Sequence, residues 1–504
     1  MPRPKTRLLL AAAVLAALTA APLSAAGPAA APAPAAKPPN VLFVIADDWG
    51  FGHAGAYGCK WISTPAFDRV AREGALFRNC FTSNPKCSPC RASILTGRNS
   101  WQTEEACCHF GLFRNKWAVF PDVLEAAGYQ VGLTGKGWGP GDYKSGGFKR
   151  NPAGPSFDAR KCVPPYKGIG RNDYAANFAD FLAARKAGAP FCFWYGATEP
   201  HRSYEEGSGL RAGKDPKLVD LPKFYPDSPV IRSDYLDYAL EVEWFDSHLG
   251  RMIKMLEDAG ELDDTIIVVT SDHGEPFPRV KGQIYERGFH LPLAIRWGRR
   301  VKAGRTVDDF VNVRDFMPTF LEAAGVKIPD TVTGRSFLDV LTSDKSGVID
   351  ATRNRMVVGK ERHDLGRPDD QGYPVRAIRT PEYLYIRNYE PDRWPAGNPE
   401  TGYRNVDGGA TKEFLLNRFD HWYKLSFGKR PLEELYRIDR DPDCVKNLID
   451  DPALQAVRSN LREEMERLLR DDGDPRVLGN AKVFDTYKYV GDRKHSFETW
   501  LKNQ

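Results

Sequence analysis

The 504-residue sequence has almost no excess of charge of one sign: 71 Lys and Arg face 66 Asp and Glu, a formal +5. That balance gives no argument for a nucleic-acid partner, and none is expected. There is no internal repeat, which sets aside solenoids and propellers. Beyond the extreme N-terminus no apolar run is long enough to span a bilayer, so no stable membrane span is expected in the body of the chain. Cysteine is sparse and odd in number. Nine sulfurs leave at least one outside any intramolecular disulfide, and the spacing does not say which would pair.

The N-terminus is organised differently. Arg3, Lys5 and Arg7 precede an uncharged apolar run, residues 8–21, and the small residues Ser24, Ala25 and Ala26 follow. This is the layout of a secretory signal peptide over residues 1–26, with an uncleaved signal anchor as the alternative. Export, periplasmic or secreted, is the expectation, and a compartment where disulfides persist comes with it. Losing the charges of Arg3, Lys5 and Arg7 takes the formal +5 to +2. Residues 27–39 are Ala, Pro, Gly and one Lys, apart from Asn40 beyond them, and read as a linker that need not fold.

From residue 40 to about 345, β-branched and aromatic runs alternate with helical patterns, which predicts an α/β domain with a mostly parallel sheet sandwiched by helices. Runs 41–45, 191–195 and 266–269 read as buried strands. Leu249, Ile253 and Leu256 recur at helical spacing before a stop at Gly260. Residues 346–504 read as a smaller C-terminal α+β subdomain, with a small antiparallel sheet and a terminal helix. Segments 383–386 and 435–438 look like short strands, and Leu454, Val457, Leu461, Met465 and Leu468 mark one face of that helix.

Three of the first domain's strands run straight into polar clusters: Asp47-Asp48, Glu199-Pro200-His201-Arg202 and Ser271-Asp272-His273-Gly274. Ligand sites in open α/β sheets lie beyond the carboxyl ends of strands, so the three clusters predict one shared site. Two acidic pairs there repel unless a cation sits between them, and a hard divalent ion is the natural partner. His273 is an unusual ligand for such an ion, since imidazole suits zinc or another transition metal. An isolated Asp-Asp after a strand is more often a turn or a helix cap.

The segment that carries most information is Cys87-Ser88-Pro89-Cys90-Arg91-Ala92-Ser93-Ile94-Leu95-Thr96-Gly97-Arg98. Pro89 suits the first turn of a helix, which places Cys87 at a helix N-terminus, where free N–H groups and the dipole favour an anion. The competing readings of Cys87-x-x-Cys90 are half a zinc site, completed by Cys107-Cys108-His109, or a redox pair. The twelve residues resemble the signature of the type I sulfatases, formylglycine-dependent members of the alkaline phosphatase superfamily. The resemblance implies an alkaline phosphatase-like fold, sulfuric ester hydrolysis, and maturation of Cys87, not Cys90, to formylglycine by a formylglycine-generating enzyme. In that family the hydrated aldehyde attacks sulfur with one oxygen and expels sulfate by collapse through the other.

The resemblance runs in order along nearly the whole chain after residue 39. It implies metal ligands at Asp47, Asp48, Cys87, Asp272 and His273, holding one divalent cation, Ca²⁺ as the first choice. It assigns catalytic parts to Cys87, Arg91, Lys136, His201 and Lys281, with His201 beside the leaving group and the lysines on sulfate. Glu199 to Arg202 and the segment 361–376 look nearest to N-sulfoglucosamine sulfohydrolase-like members, which implies Arg202 and His363 in the substrate pocket. The expected partner is a sulfated sugar or polysaccharide such as a glycosaminoglycan, carrying a sulfate ester or sulfamate. One position departs from the pattern. Trp138 stands where the family has a histidine two residues after the lysine, leaving Lys136 to do the work alone or His109 or His53 to substitute. Two other functions remain in play: phosphodiester or phosphonate monoester hydrolysis with the same nucleophile, and a catalytically dead sugar-binding protein.

Overall fold

The structure, a computed structural model, describes residues 37–492 and 494–504. The signal-peptide segment 1–26 and most of the 27–39 linker lie outside the described residues.

Strand β1 (Asn40–Ala46) is buried at every position. Alternate side chains of a strand point to opposite faces. Leu42, Val44 and Ala46 join one apolar cluster, while Val41, Phe43 and Ile45 join another. A strand apolar on both faces needs helices on both. They are α1 (Pro65–Glu73), α2 (Cys87–Thr96), α3 (Phe120–Ala126), α4 (Tyr174–Ala183), α5 (Pro229–Asp258) and α6 (Phe316–Ala323). Apolar residues of α1, α4 and α5 fill the first cluster, and those of α2, α3 and α6 fill the second.

The remaining strands of the sheet are β2 (Ala75–Phe81), β3 (Gln130–Gly135), β4 (Phe191–Gly196), β5 (Thr265–Ser271), β6 (His290–Arg296), β7 (Arg305–Val307) and β8 (Val311–Asn312). Their order is β8-β2-β6-β5-β1-β4-β3, with β7 beside β2. The stretch β3-β4-β1-β5 is parallel throughout, and β6 runs antiparallel to both its neighbours. This is the mostly parallel, helix-covered sheet that the sequence predicts. Helix α5 extends well before the periodic Leu249–Leu256 segment, because Ser228 Oγ accepts from Val230 N and Pro229 opens the first turn. It ends at Asp258, and Gly260 takes φ +67° just beyond.

The second sheet is antiparallel, with β9 (Met356–Lys360), β10 (Val375–Arg379), β11 (Tyr383–Asn388) and β12 (Glu433–Arg437) side by side in chain order. Helix α7 (Gln455–Asp471) buries Leu461, Met465 and Leu469 in a cluster with Ile378, Tyr385 and Leu435. The expected face includes Leu468, but Leu469 is the buried one, with Leu468 partly covered. All nine cysteines are free thiols. Among the described residues, no helix is long and apolar enough to cross a membrane.

Candidate active site

Register delivers the two acidic pairs to one place. β1 and β5 are adjacent and parallel, with Ala46 opposite Ser271, so Asp47-Asp48 and Asp272-His273 leave the sheet side by side. Asp48 takes φ +75°, a left-handed conformation that Asp tolerates better than most residues. Its N–H donates to Asp272 Oδ1 at 3.1 Å, and Trp49 N–H donates to Ser271 Oγ at 2.9 Å. Next door, β3 and β4 end together, and a Cβ on Gly196 would lie 1.9 Å from Lys136 O. Glycine there lets the chain carrying Lys136 cross the end of β4 towards β1.

Cys87 is the first residue of α2 and is buried against the same point. Ligand atoms of Asp47, Asp48, Cys87 and His273 all lie within 4.8 Å of one another. His273 Nε2 is 3.3 Å from Cys87 Sγ and 3.1 Å from Asp48 Oδ1. Asp272 borders this set. Its Oδ2 accepts from Arg91 Nε at 2.9 Å, and its Oδ1 is 3.5 Å from His273 Nε2. Arg91, fully buried, also donates to the carbonyls of Lys136 and Gly137 and reaches Asp47 Oδ1 at 3.4 Å. Lys136 Nζ is 2.5 Å from Asp47 Oδ2. Lys281 Nζ is held between Asp48 Oδ2 at 2.7 Å and Asp407 Oδ2 at 2.6 Å.

The electrostatics of this cluster call for positive charge. Burial opposes ionisation of His273, yet Asp272, Asp48 and Cys87 push it up to about 9. Burial, reinforced by Asp47, pushes Asp272 up to about 7 against the pull of His273 and Arg91. The Cys87 thiol is raised by burial and by Asp47, but Lys136, His273 and Lys281 outweigh them and hold it well below its ordinary value. A proton drawn onto His273 and a carboxyl driven toward protonation both fit a bound cation. Oxygen donors from Asp47 and Asp48 suit a hard divalent ion.

Cys87, Lys136, His201 and Lys281 share the wall of a cavity of about 620 Å³, room enough for a sugar unit. His201 Nδ1 is 2.6 Å from Arg202 O, which directs Nε2 away from that carbonyl, to 4.0 Å from Asp48 Oδ2. The other two expected pocket residues are placed elsewhere. The Arg202 side chain, 7% exposed, forms a paired salt bridge with Asp234, donates to Pro276 O and does not line the cavity. His363 is buried against Asn84, with Nε2 2.6 Å from Asn84 Oδ1, and burial with the nearby Lys360 and Lys86 charges keeps it neutral. Its neighbour Asp364 lines the cavity instead, with Lys86, Arg404 and Asp407. Trp138 turns its indole N–H to Ser88 O at 3.0 Å and packs on Phe113. His53 sits in a different cavity beside Trp61, bonded to Tyr238, and burial with Arg287 lowers it to about 3.

Sequence reasoning missed Lys86, Asp364, Arg404 and Asp407. Lys86 was within reach, standing directly before Cys87; the other three lie in irregular segments of the C-terminal part and carry no pattern.

Comparison with known proteins follows this geometry. A family model described as Sulfatase matches residues 39–326, and one described as N-sulphoglucosamine sulphohydrolase, C-terminal, matches residues 279–395. The chain is similar to an ulvan-active sulfatase of Formosa agariphila, 28% identical across 87% of this chain and 81% of that protein. It is also similar to N-sulphoglucosamine sulphohydrolase of Homo sapiens, 29% identical across 89% and 93%. A solved structure of a protein with its substrate D-glucosamine-2-N,6-O-disulfate shares the fold at TM-score 0.62 and 22% identity, covering 87% of this chain and 98% of that one. So does a phosphonate monoester hydrolase of Agrobacterium radiobacter, at TM-score 0.60 and 19% identity, covering 86% and 96%.

Proposed function

We propose that this chain, which belongs to the sulfatase family and is a sulfuric ester hydrolase, removes sulfate from a sulfated sugar or polysaccharide, using residue 87 as formylglycine beside one divalent cation. The observation that carries this reading is the meeting of Asp47, Asp48, Cys87 and His273 ligand atoms within 4.8 Å at a helix N-terminus flanked by Lys136 and Lys281. Formylglycine supplies a nucleophilic oxygen once hydrated, and the cation, for which the oxygen donors favour Ca²⁺, supplies charge against the sulfate.

The chain's own residues divide the remaining work. Arg91 holds Asp272, Asp47 and the Lys136 carbonyl in place from a fully buried position, so it is a positioning residue for the ligand set. Lys136 and Lys281 line the cavity and stay protonated: burial works against their charge, but Asp47 for Lys136, and Asp407 and Asp48 for Lys281, raise both above the ordinary amine value. They bind the sulfate oxygens. His201, with Nδ1 engaged by Arg202 O, keeps Nε2 for the leaving oxygen and serves as the acid.

Lys281 also bears on the phosphoesterase alternative. Asp48, His201 and Asp407 form a second group with ligand atoms within 4.8 Å. A two-metal phosphoesterase would place its other ion at such a group. Here the Lys281 ammonium bridges Asp48 and Asp407, supplying one positive charge where a divalent ion would supply two. That argues against a two-metal phosphoesterase; charge alone does not separate a sulfate ester from a phosphodiester or a phosphonate monoester, all of which are monoanions. Relatives named for N-sulfated glucosamine and for ulvan support a sulfated saccharide as the substrate. Export under the 1–26 signal segment and maturation by a formylglycine-generating enzyme belong to the same reading.

The test is a panel of sulfated saccharides, 4-nitrophenyl sulfate, phosphodiesters and phosphonate monoesters, with peptide mass analysis at residue 87. Turnover of sulfate esters by protein converted at Cys87 is expected. Preference for the phosphorus esters would overturn the reading.

A further inference from the structure

A second histidine stands in the wall of the cavity that holds Cys87. His109 follows a short turn, Glu104–Cys107, and is fastened at two points to one segment of the C-terminal part. Its backbone N–H donates to Arg362 O at 3.1 Å, and its Nδ1 lies 2.6 Å from Asp364 Oδ1. The other oxygen of Asp364 takes the ammonium of Lys86 at 2.6 Å. Asp364 is thus shared between His109 and the residue preceding Cys87. Burial works against its charge, but Lys86 and His109 hold its carboxyl well below the ordinary range. An ionised Asp364 accepts from Nδ1–H, which leaves Nε2 as the ring's remaining hydrogen-bonding atom.

Nε2 is buried and has no hydrogen-bond partner among the described residues. A buried polar atom in that condition costs stability unless a ligand pairs with it. The other residues considered for a histidine's work here are engaged elsewhere: Trp138 with Ser88 O, and His53 with Tyr238 in another cavity. Around His109 the wall carries the charged Lys86, Arg404, Asp407 and Asp492 beside the rings of Phe110 and Tyr489, a mixed lining that suits both the hydroxyls and the apolar ring face of a saccharide.

We infer that His109, oriented by Asp364, is a specificity-determining residue whose Nε2 makes a hydrogen bond with a polar group of the saccharide bound in the Cys87 cavity. This rests on the sulfated-saccharide reading above. It places sugar recognition on a pair of residues from two distant parts of the chain, separate from the lysines that bind sulfate.

The experiment compares native protein with His109→Ala, His109→Gln and His109→Asn on glucosamine 2-N-sulfate, glucosamine 6-O-sulfate and 4-nitrophenyl sulfate. Thermal melts establish that each variant is folded. Losing one neutral hydrogen bond should raise KM for the preferred glucosamine sulfate about tenfold, with kcat moving far less. The kcat/KM ratio of sugar to aryl sulfate should fall by about the same factor. Gln can place its amide group near the Nε2 position and should recover most of the KM, whereas the shorter Asn should not. Equal loss of kcat on sugar and aryl sulfates would overturn the inference, because His109 would then serve the sulfate chemistry itself. An unchanged KM for both sugars would overturn it as well. Failure of the underlying reading looks different: native protein would turn over 4-nitrophenyl sulfate but neither glucosamine sulfate, and the inference would fall with it.

Discussion

His201→Ala separates proton donation from substrate positioning at the proposed leaving-group side. The ring is fixed by Nδ1 on Arg202 O at 2.6 Å, and its Nε2 belongs to the cavity wall, 4.0 Å from Asp48 Oδ2. Removing a residue that merely positions substrate through one neutral hydrogen bond should cost about tenfold. Removing a general acid costs roughly a hundredfold to ten-thousandfold, or about 3–5 kcal/mol of transition-state free energy. A sugar alkoxide is a poor leaving group and needs the proton, while 4-nitrophenolate leaves without one. The expected result is therefore a loss of kcat of about a hundredfold or more on a sulfated glucosamine, with at most about tenfold on 4-nitrophenyl sulfate. Steady-state rates on both substrates with one protein preparation make the assay. An equal loss on the two would refute the acid role and leave His201 as a positioning residue.

Other outcomes follow from neighbouring groups. Lys281→Ala should depress turnover of sugar and aryl sulfates alike, since it removes the proposed sulfate-binding charge and leaves Asp48 and Asp407 without their shared ammonium, measurable with the same substrate pair. Asp48→Asn should lower the cation stoichiometry found by elemental analysis of purified protein; full occupancy would place the cation elsewhere. Arg202→Ala leaves Asp234 with the Thr411 N–H and hydroxyl as donors but without its cation, and should cost about 1–3 kcal/mol, read as a drop in denaturation midpoint. Burial, with the nearby Glu199, pushes Glu241 up to about 9 from an ordinary 4.5, so the fold keeps a proton that the unfolded chain loses. Raising the pH between those values therefore favours unfolding, and Glu241→Gln should stabilise by roughly 3 kcal/mol at pH 7 and by nothing below about pH 4, checked by melting curves across that range.

The fold was legible wherever a pattern stays inside one element. Run 41–45 is apolar at every position because β1 lies under helices on both faces, and that alone predicts a central parallel strand. The metal-binding candidates were legible for a related reason. Each pair sits in the first residues after such a strand, so the sheet register that brings Ala46 opposite Ser271 also brings Asp47-Asp48 to Asp272-His273. Contiguous motifs at the ends of neighbouring strands need no knowledge of the loops between them. Helix α7 shows the limit of periodicity alone: Leu468 and Leu469 are adjacent apolar residues, and only packing against Ile378, Tyr385 and Leu435 decides which is buried.

Pocket residues outside the motifs follow no such rule, and Arg202 and His363, which do not line the cavity, are held elsewhere for separate physical reasons. Arg202 stands one residue from His201, but Asp234 comes from α5, far along the chain, and captures the guanidinium in a buried pair that sequence proximity cannot reveal. For His363 the chain is in the right place and the phase is wrong. Beyond β9 the backbone carries His363 inward to Asn84 and its neighbour Asp364 to Lys86 and His109, so a step of one residue exchanges the buried side for the cavity side. Phase of that kind is set by what each side chain meets across the fold. Asp364 meets the Lys86 ammonium and the His109 ring and bonds to both, whereas His363 meets an amide oxygen and stays neutral. The stronger electrostatic pairing lies on the cavity side, and it fixes which of the two residues a bound saccharide can encounter.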